Sequence, residues 1–421
     1  MIAVVGGGIT GLALGWELAS LGEDLVVLEA TGRVGGVIRS AEVEGRVLDF
    51  GPQRLRLTRG VAEMVGALGL DRELLTAPSD LPLYVFARDR LRRVPRSIGA
   101  FATTDALSTG AKLRALLEPL TGGARPTESV AEYFTRKLGR ELYQSLAGPL
   151  YGGLYASDPA DMEVGLSLAH TLREMGVGRS LVLRLLRAGG RLRGPAAVSF
   201  ARGLDALPMA LQRSLGAKVV VDSPVRSLTR RGAGWRVESD RGVFDATAVV
   251  LTTPAEVTAA LLSRAAPSTA AALAQLRYNP LAVVHVAAEA PVRAMGFQVA
   301  LSERARVLRG VTFNECLFGR RDLCTAYLGG STHPEVERMR DDELGAAAVR
   351  ELHACTVRDA RVLSVGRARM PAWDRSWRAL ERVELPEGVH LAANWWSRPG
   401  VVGRLAEAKR LARALHDGRA A

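Results

Sequence analysis

The chain has 421 residues, 48% of them hydrophobic and 5% aromatic, with a formal net charge of +12. That is enough chain for two or three packed units, and too apolar for a disordered one. Of the 56 basic residues only Lys112, Lys137, Lys218 and Lys409 are Lys, the Arg are dispersed, and no nucleic-acid motif occurs, so the charge suits an acidic small molecule or an anionic lipid surface.

Ile2 to Val5 reads as a short buried strand. Gly6-Gly7-Gly8-Ile9-Thr10-Gly11 follows at once and opens a helix through Ala19. Gly6 permits the tight turn, Gly8 lets backbone N–H groups approach a diphosphate, and Gly11 lets the helix pack close to the sheet. The helix N-terminus, with Ile9 and Thr10 in its first turn, presents a partial positive charge to phosphate. Leu25 to Leu28 is the next strand. Glu29 ends it, eighteen residues after Gly11. There a carboxylate can accept bonds from ribose hydroxyls and repel a 2′-phosphate, so FAD or NAD is expected over NADP.

The following residues favour FAD. Glu29-Ala30-Thr31-Gly32-Arg33-Val34-Gly35-Gly36 resembles the ExxxRxGG signature of the FAD-dependent amine oxidase superfamily. The resemblance implies that Ala30 lies beside the cofactor, that Arg33 neutralises phosphate, and that Gly35 and Gly36 fold back over the flavin side of the diphosphate. Leu48-Asp49-Phe50-Gly51-Pro52 looks like the superfamily's segment beside the isoalloxazine ring.

Residues 60 to 76 read as a helix, and Leu81 to Phe86 with Leu91 to Pro95 as a hairpin turning near Arg88-Asp89-Arg90. From about 106 to 193 the pattern is helical. Ser129 and Glu132 form a capping box, and Val130, Phe134, Leu138, Leu142 and Leu146 form an apolar stripe. The stretch from Pro149 to Pro159 is expected to break the helix. Tyr151-Gly152-Gly153-Leu154-Tyr155-Ala156-Ser157-Asp158-Pro159 resembles a segment of the protoporphyrinogen oxidase family, and so does Ser199-Phe200-Ala201-Arg202-Gly203-Leu204-Asp205-Ala206-Leu207-Pro208. Arg184, Arg187 and Arg191 share a face of a basic amphipathic piece, with Leu181 and Leu185 on another, which reads either as an interfacial helix or as an ordinary solvated face.

Val219 to Val225 returns to strand, and the superfamily pattern brings the backbone of Val225 to the adenine. Two hairpin strands, 235–239 and 242–246, precede a buried strand, Ala248 to Thr253. Thr253 is placed to cap a helix there, with Pro254 at its first position. Residues 282–287 read as a strand and 342–355 as a helix; His285 reads as a core histidine. Gly388 to Asn394 is the last strand. Arg398-Pro399-Gly400-Val401-Val402 and a helix to about Leu415 resemble the superfamily's second flavin site, where Asn394, Gly400, Val401 and Val402 would meet the flavin. The sequence departs from that pattern at Ala393-Asn394, at Glu407-Ala408 and around Met370 to Trp373.

The expected fold is α/β: a discontinuous Rossmann-like FAD-binding domain (1–78, 199–262 and 366–421), a helical insertion that is a candidate for membrane contact (79–198), and a mixed-sheet substrate domain (263–365). The resemblance implies oxygen-dependent oxidation of a porphyrinogen, protoporphyrinogen IX or coproporphyrinogen III, in haem biosynthesis. Arg96, after the hairpin, would meet the substrate's carboxylates, with Leu301, Phe313 and Leu328 as walls of an apolar slot. No acid–base residue is compelled, since FAD carries the chemistry. Two other readings remain: a superfamily amine oxidase or carotenoid desaturase, and a flavin-binding protein without turnover. Cys316, Cys324 and Cys355 contain no CxxC pair and the six His are scattered, so no metal site or disulfide framework is expected. The absence of an 18-residue apolar run or a basic leader predicts no membrane span, hence a cytoplasmic protein with peripheral attachment to the cell membrane as the variation.

Overall fold

The structure, a computed structural model, describes residues 1–187, 189, 194–397 and 400–418. Arg191 of the basic amphipathic piece, and Arg398 and Pro399 before the last helix, lie outside the described residues. The contacts divide the chain into two compact units, one of residues 1–76, 195–276 and 379–421, the other of 77–194 and 277–378.

The first unit is built on a five-stranded parallel sheet. Its order across the sheet is 219–220, 25–28, 2–5, 248–251 and 389–391. The strands Ile2–Val5 and Leu25–Leu28 are fully buried, as near-continuous Val, Leu and Ile runs require when both faces are covered. The first helix, Ile9–Ser20, packs against the C-terminal helix, Val401–His416. A three-stranded sheet of 225–231, 234–239 and 242–246 adjoins it. A further small sheet pairs 197–200 with both 55–56 and 74–76. The expected helix over 60 to 76 is therefore shorter: it ends at Ala67, and Leu74–Thr76 is a strand held by Val198 to Phe200. The alternating strand Val225–Arg231 goes beyond the expected 219–225.

The second unit carries a seven-stranded mixed sheet, ordered 361–371, 278–287, 323–329, 308–313, 296–299, 83–87 and 90–93. Arg88 and Asp89 turn its edge hairpin with φ of 53° and 57°. The hairpin lies in the same sheet as the later strands because Leu83 to Phe86 runs parallel to Gly296 to Val299. Helical and sheet segments thus share one unit. Residues 366–371 belong to it rather than to the nucleotide unit, since strand 361–371 pairs antiparallel with 278–287. Residues 263–276 fall on the nucleotide side.

The helical part is more broken than the apolar stripe suggests. Ser129 and Glu132 form both bonds of the capping box, but the helix stops at Leu138, where Gly139 has φ 88°. Pro149 does not end a helix; residues 140–155 run on as one helical stretch, and the π-helical turn Tyr143–Ala147 directly before Gly148–Tyr155 accommodates the proline. The termination falls at Ala156, in the left-handed region.

Lys137 and Glu118, both fully buried, form a 2.5 Å ion pair inside this region. The amine also donates to the carbonyls of Gly122 and Arg179 at 2.9 and 2.6 Å. The carboxylate accepts from Ser180 Oγ and from the Leu181 N–H at 3.0 Å, so it closes the start of the helix Leu181–Arg187. Burial alone would raise the Glu118 carboxyl, but the bonds from Lys137, Ser180 and Leu181 and the Lys137 charge outweigh it and hold it below the usual carboxylate range. Its stabilisation is complete above the unfolded-state value and lost as pH falls through the lower folded one. Lys137→Met leaves a buried carboxylate without its cation and is expected to cost about 3–5 kcal/mol in urea unfolding. The double variant E118Q/K137M should cost clearly less than the sum of the two single changes.

Candidate functional site

The carboxyl ends of the parallel strands meet at one edge, where the strand order reverses between 2–5 and 248–251. In open α/β sheets that edge is where ligands bind. Gly6 turns the chain there with φ +109°, and a Cβ on it would lie 2.6 Å from Thr252 Oγ1. A Cβ on Gly11 would lie 1.9 Å from the Gly6 carbonyl oxygen, so the helix touches the strand end directly. Gly8 is different. A Cβ there would meet nothing within 4 Å. No side chain caps the helix that starts at Ile9, and Thr10 is buried in its first turn. Open space in front of uncapped N–H groups fits a diphosphate.

The second glycine turn closes onto the first. The Gly35 N–H donates to the Gly7 carbonyl at 2.8 Å, and a Cβ on Gly36 would lie 3.3 Å from the Gly8 Cα. Glu29 holds the arrangement from below. Its Oε2 accepts the Gly7 N–H at 2.8 Å, and its Oε1 accepts the N–H and hydroxyl of Thr31 at 2.9 and 2.8 Å. A carboxylate has roughly four lone-pair positions, so three are occupied and about one remains for a ribose hydroxyl. Exposed Ala30 follows it.

Arg33 is not placed as the sequence suggests. Its guanidinium donates to the carbonyls of Val34, Ile38 and Gly36 at 2.9, 3.1 and 2.8 Å. It braces its own loop through these three bonds and does not stand free for a phosphate. Gly51 is needed for packing: a Cβ would lie 2.1 Å from the Val37 carbonyl oxygen. Pro52 is half-buried beside it.

Val225 starts its strand two residues after Ser223, whose N–H donates to the Glu29 carbonyl at 2.8 Å. Thr253 does not cap a helix. Its hydroxyl lies 2.8 Å from that of Thr258, and Pro254 occupies the cap position. The Thr253 carbonyl instead accepts the Trp395 indole N–H at 2.9 Å, and the Ala392 N–H donates to the Leu251 carbonyl at 3.0 Å. These two bonds join the last strand's end to the same edge. Asn394 is half-buried there and forms no hydrogen bond among the described residues. Gly400, with φ 84°, opens the C-terminal helix without a side-chain cap; Val401 is buried and Val402 half-buried in its first turn.

Some residues at this site escape sequence reasoning. Asp49 Oδ1 accepts from Ser40 Oγ at 2.6 Å and from the Leu204 N–H at 2.8 Å, while Asp205 Oδ2 accepts the Ser40 N–H at 3.1 Å. Gln53 is buried and donates to the Asp49 and Gly51 carbonyls at 2.5 and 3.2 Å. The carboxylate in Leu48-Asp49-Phe50, followed by Gly-Pro, was the available signal.

In the second unit the expected substrate residues divide. Arg96 is exposed, with its guanidinium 3.1 Å from Met295 Sδ. Phe313 and Leu328 are fully buried in the core between the sheet and the helix Asp341–Ala354, and Phe313 packs edge-on to Phe297 at 6.0 Å. Leu301 is buried against Gly148. Leu301 lies beyond the end of the strand Gly296–Val299, whereas Phe313 and Leu328 pack the interior and do not wall an open slot, because their strand register turns them away from the sheet's polar face. That face carries Gln298, Thr312 and Tyr327, the last two with their hydroxyls 3.4 Å apart. Gly153 lets the helix Gly148–Tyr155 lie on it; a Cβ there would be 2.5 Å from Gln298 Oε1. His285 is wholly buried in register with Thr325. Among the described residues no group of three His, Cys, Asp or Glu could hold a metal ion.

A paired glycine cradle at a sheet switch point, with a second helix terminus at the same edge, defines a dinucleotide-binding flavoprotein. A model of flavin containing amine oxidoreductases matches residues 9–413, and the chain belongs to that family: it is a flavin-dependent oxidoreductase with FAD as its cofactor. Relatives that it matches in sequence include protoporphyrinogen oxidases. It is 30% identical over 393 residues to the chloroplastic protoporphyrinogen oxidase of Oryza sativa subsp. japonica, covering 83% of this chain and 73% of the rice protein. It is 28% identical over 412 residues to the Homo sapiens protoporphyrinogen oxidase, covering 88% and 85%. A solved structure from Exiguobacterium sp. 255-15, provisionally named protoporphyrinogen oxidase, shares the fold with a TM-score of 0.79 at 23% identity over 99% of this chain and 98% of that one. Cyclohexylamine oxidase from Brevibacterium oxydans shares it with a TM-score of 0.71 at 16% identity, over the same shares of the two chains.

The contrast between two glycines gives a direct test. Gly8→Ala is expected to leave the melting temperature of the cofactor-free protein unchanged, yet to weaken FAD binding at least about tenfold in a fluorescence titration, which corresponds to about 1.4 kcal/mol. Gly11→Ala is expected to destabilise the protein itself, whether or not FAD is present.

Proposed function

We propose that this chain oxidises a porphyrinogen, protoporphyrinogen IX or coproporphyrinogen III, to the porphyrin, with O2 reoxidising the cofactor, as a step in haem biosynthesis. The observation that carries the reading is the extent of the likeness to protoporphyrinogen oxidases, which covers 83% of the chain in the rice comparison and so reaches well past the glycine motifs. When bound, FAD supplies the two-electron oxidant. In this reading Gly6, Gly8, Gly11 and the first helix hold its diphosphate, Glu29 takes one ribose hydroxyl, and Asn394, Gly400 and Val401 meet the flavin side. The protein's remaining task is to orient the macrocycle and exclude water.

Arg96 supports the choice of an acidic substrate. It is exposed beside the edge hairpin, and a guanidinium binds carboxylate by charge-assisted bonds. The experiment is a fluorescence assay for porphyrin release from both porphyrinogens under air. Product from one of them supports the reading. Peroxide formation with amines, and no porphyrin from either substrate, rejects it. In the same assay Arg96→Ala is expected to raise KM by about tenfold or more while kcat changes little, the loss of a bond to a charged group being worth about 1.5–3 kcal/mol.

We infer in addition a peripheral contact with an anionic lipid surface. Leu113, Leu116, Leu117 and Leu120 are 53–83% exposed, and Leu183 and Leu186 are exposed on the basic helix that starts beside the Glu118–Lys137 pair. Exposed leucines beside arginine suit an interfacial surface. Among the described residues no helix is long and apolar enough to cross a membrane. Cosedimentation with phosphatidylglycerol vesicles is expected for the native chain and reduced by L116S/L117S/L120S; unchanged sedimentation of that variant would rule the contact out.

A further inference from the structure

The C-terminal helix carries a buried charge that the flavin reading leaves unused. Arg404, one turn into that helix, is 3% exposed. Its Nη1 donates to the Ala393 carbonyl, and its Nη2 donates to Ser397 Oγ at 2.7 Å. Its Nε is buried without an acceptor. No carboxylate among the described residues pairs with it. Glu407, the nearest acidic neighbour along the helix, is engaged by Arg410 at 2.7 and 3.0 Å. Burial pushes the Arg404 guanidinium down to about 10, against the opposing charge of Glu407, so it remains a cation at neutral pH.

Burying an unneutralised guanidinium is costly, and surrounding such a cation with only a carbonyl and a hydroxyl leaves most of that cost in place. The location explains why it is kept. Ala393 and Ser397 bracket the turn after the last strand, the same turn whose Ala392 and Trp395 are tied to Leu251 and Thr253 at the carboxyl edge of the sheet. The edge therefore receives two uncapped helix N-termini and one buried cation.

We propose that Arg404 is a positioning residue for FAD: it fixes the 393–397 turn against the first turn of the C-terminal helix and supplies the positive charge that favours the reduced cofactor. The proposal rests on the reading that this helix terminus faces the flavin ring. Reduction by two electrons and one proton leaves the flavin ring with one negative charge more than before. A nearby cation with no carboxylate partner, in surroundings of low dielectric, stabilises that state over the oxidised one. Were Glu407 paired with it, the two charges would largely cancel.

The test uses FAD-loaded Arg404→Met, Arg404→Lys and Val401→Pro, read by flavin midpoint potential and by the dissociation constant for sulfite. Val401→Pro removes one N–H from the first helical position without changing charge, and Gly400 already has the extended ψ, 153°, that a residue before proline needs. R404M is expected to disfavour the reduced state at least tenfold, about 30 mV for a two-electron couple, and to weaken sulfite binding to a similar degree. R404K is expected to stay within threefold of the native protein, and V401P to shift in the same direction as R404M. A native potential in R404M with a shifted V401P overturns the role of Arg404 alone. Native values in both overturn the reading of the helix terminus as well. If R404M does not fold, Arg404→Gln keeps an NH2 donor without the charge. The photoreduced native protein gives an independent answer: an anionic reduced-flavin spectrum in mildly acidic buffer supports the proposal, and a neutral one overturns it.

Discussion

The contact on which the cofactor unit depends is between two glycine turns. Gly35 donates to the Gly7 carbonyl, and Gly36 lies against the Gly8 Cα. Backbone can approach backbone this closely only where side chains are missing. At Gly11 and Gly51 a Cβ would collide with carbonyl oxygens at 1.9 and 2.1 Å, so protein packing alone requires those glycines. At Gly8 it would collide with nothing. Glycines of one motif thus divide into those that hold the fold and one that keeps space open.

The charged residues around the cradle follow the same logic. Glu29 and Arg33 both satisfy backbone groups of the two turns, Glu29 through the Gly7 and Thr31 N–H groups and Arg33 through three carbonyls. Tight loops expose backbone donors and acceptors that buried sites must pair. Spending side-chain charge on them fixes the loops before any ligand arrives, which lowers the ordering cost of binding. Asp49 does the same between the strand Arg46–Asp49 and the segment at Leu204.

The second unit solves a different problem. Its seven-stranded sheet buries Phe86, Phe297, Phe313 and Leu328 on one face under a helix, and keeps hydroxyl and amide groups on the other. Gly153 lets a helix lie close over that polar face, while Gly148 makes room for Leu301 and Gly152 for the turn at Ser157 to Pro159. The Glu118–Lys137 pair then fixes the start of the basic helix to the turn at 118–122.

Local order along the chain was enough to read the nucleotide unit's central strands, its first and last helices, the edge hairpin and the Ser129 capping box, and with them the cofactor class. Each of those signals lies within a few residues of the feature it specifies. The misplaced features involve partners far apart in sequence. Leu74–Thr76 became a strand because Val198 to Phe200 lies beside it, and Phe313 and Leu328 were turned inward by register; Arg33, drawn to carbonyls one to five residues away, is the local exception. Nothing in the sequence marks Arg404 among so many arginines, and the motif that holds Asp49 does not show that Ser40 and Leu204 are its partners. Their roles arise only when the folded chain removes water from one group and brings a partner to another, because burial and hydrogen bonding depend on neighbours in space.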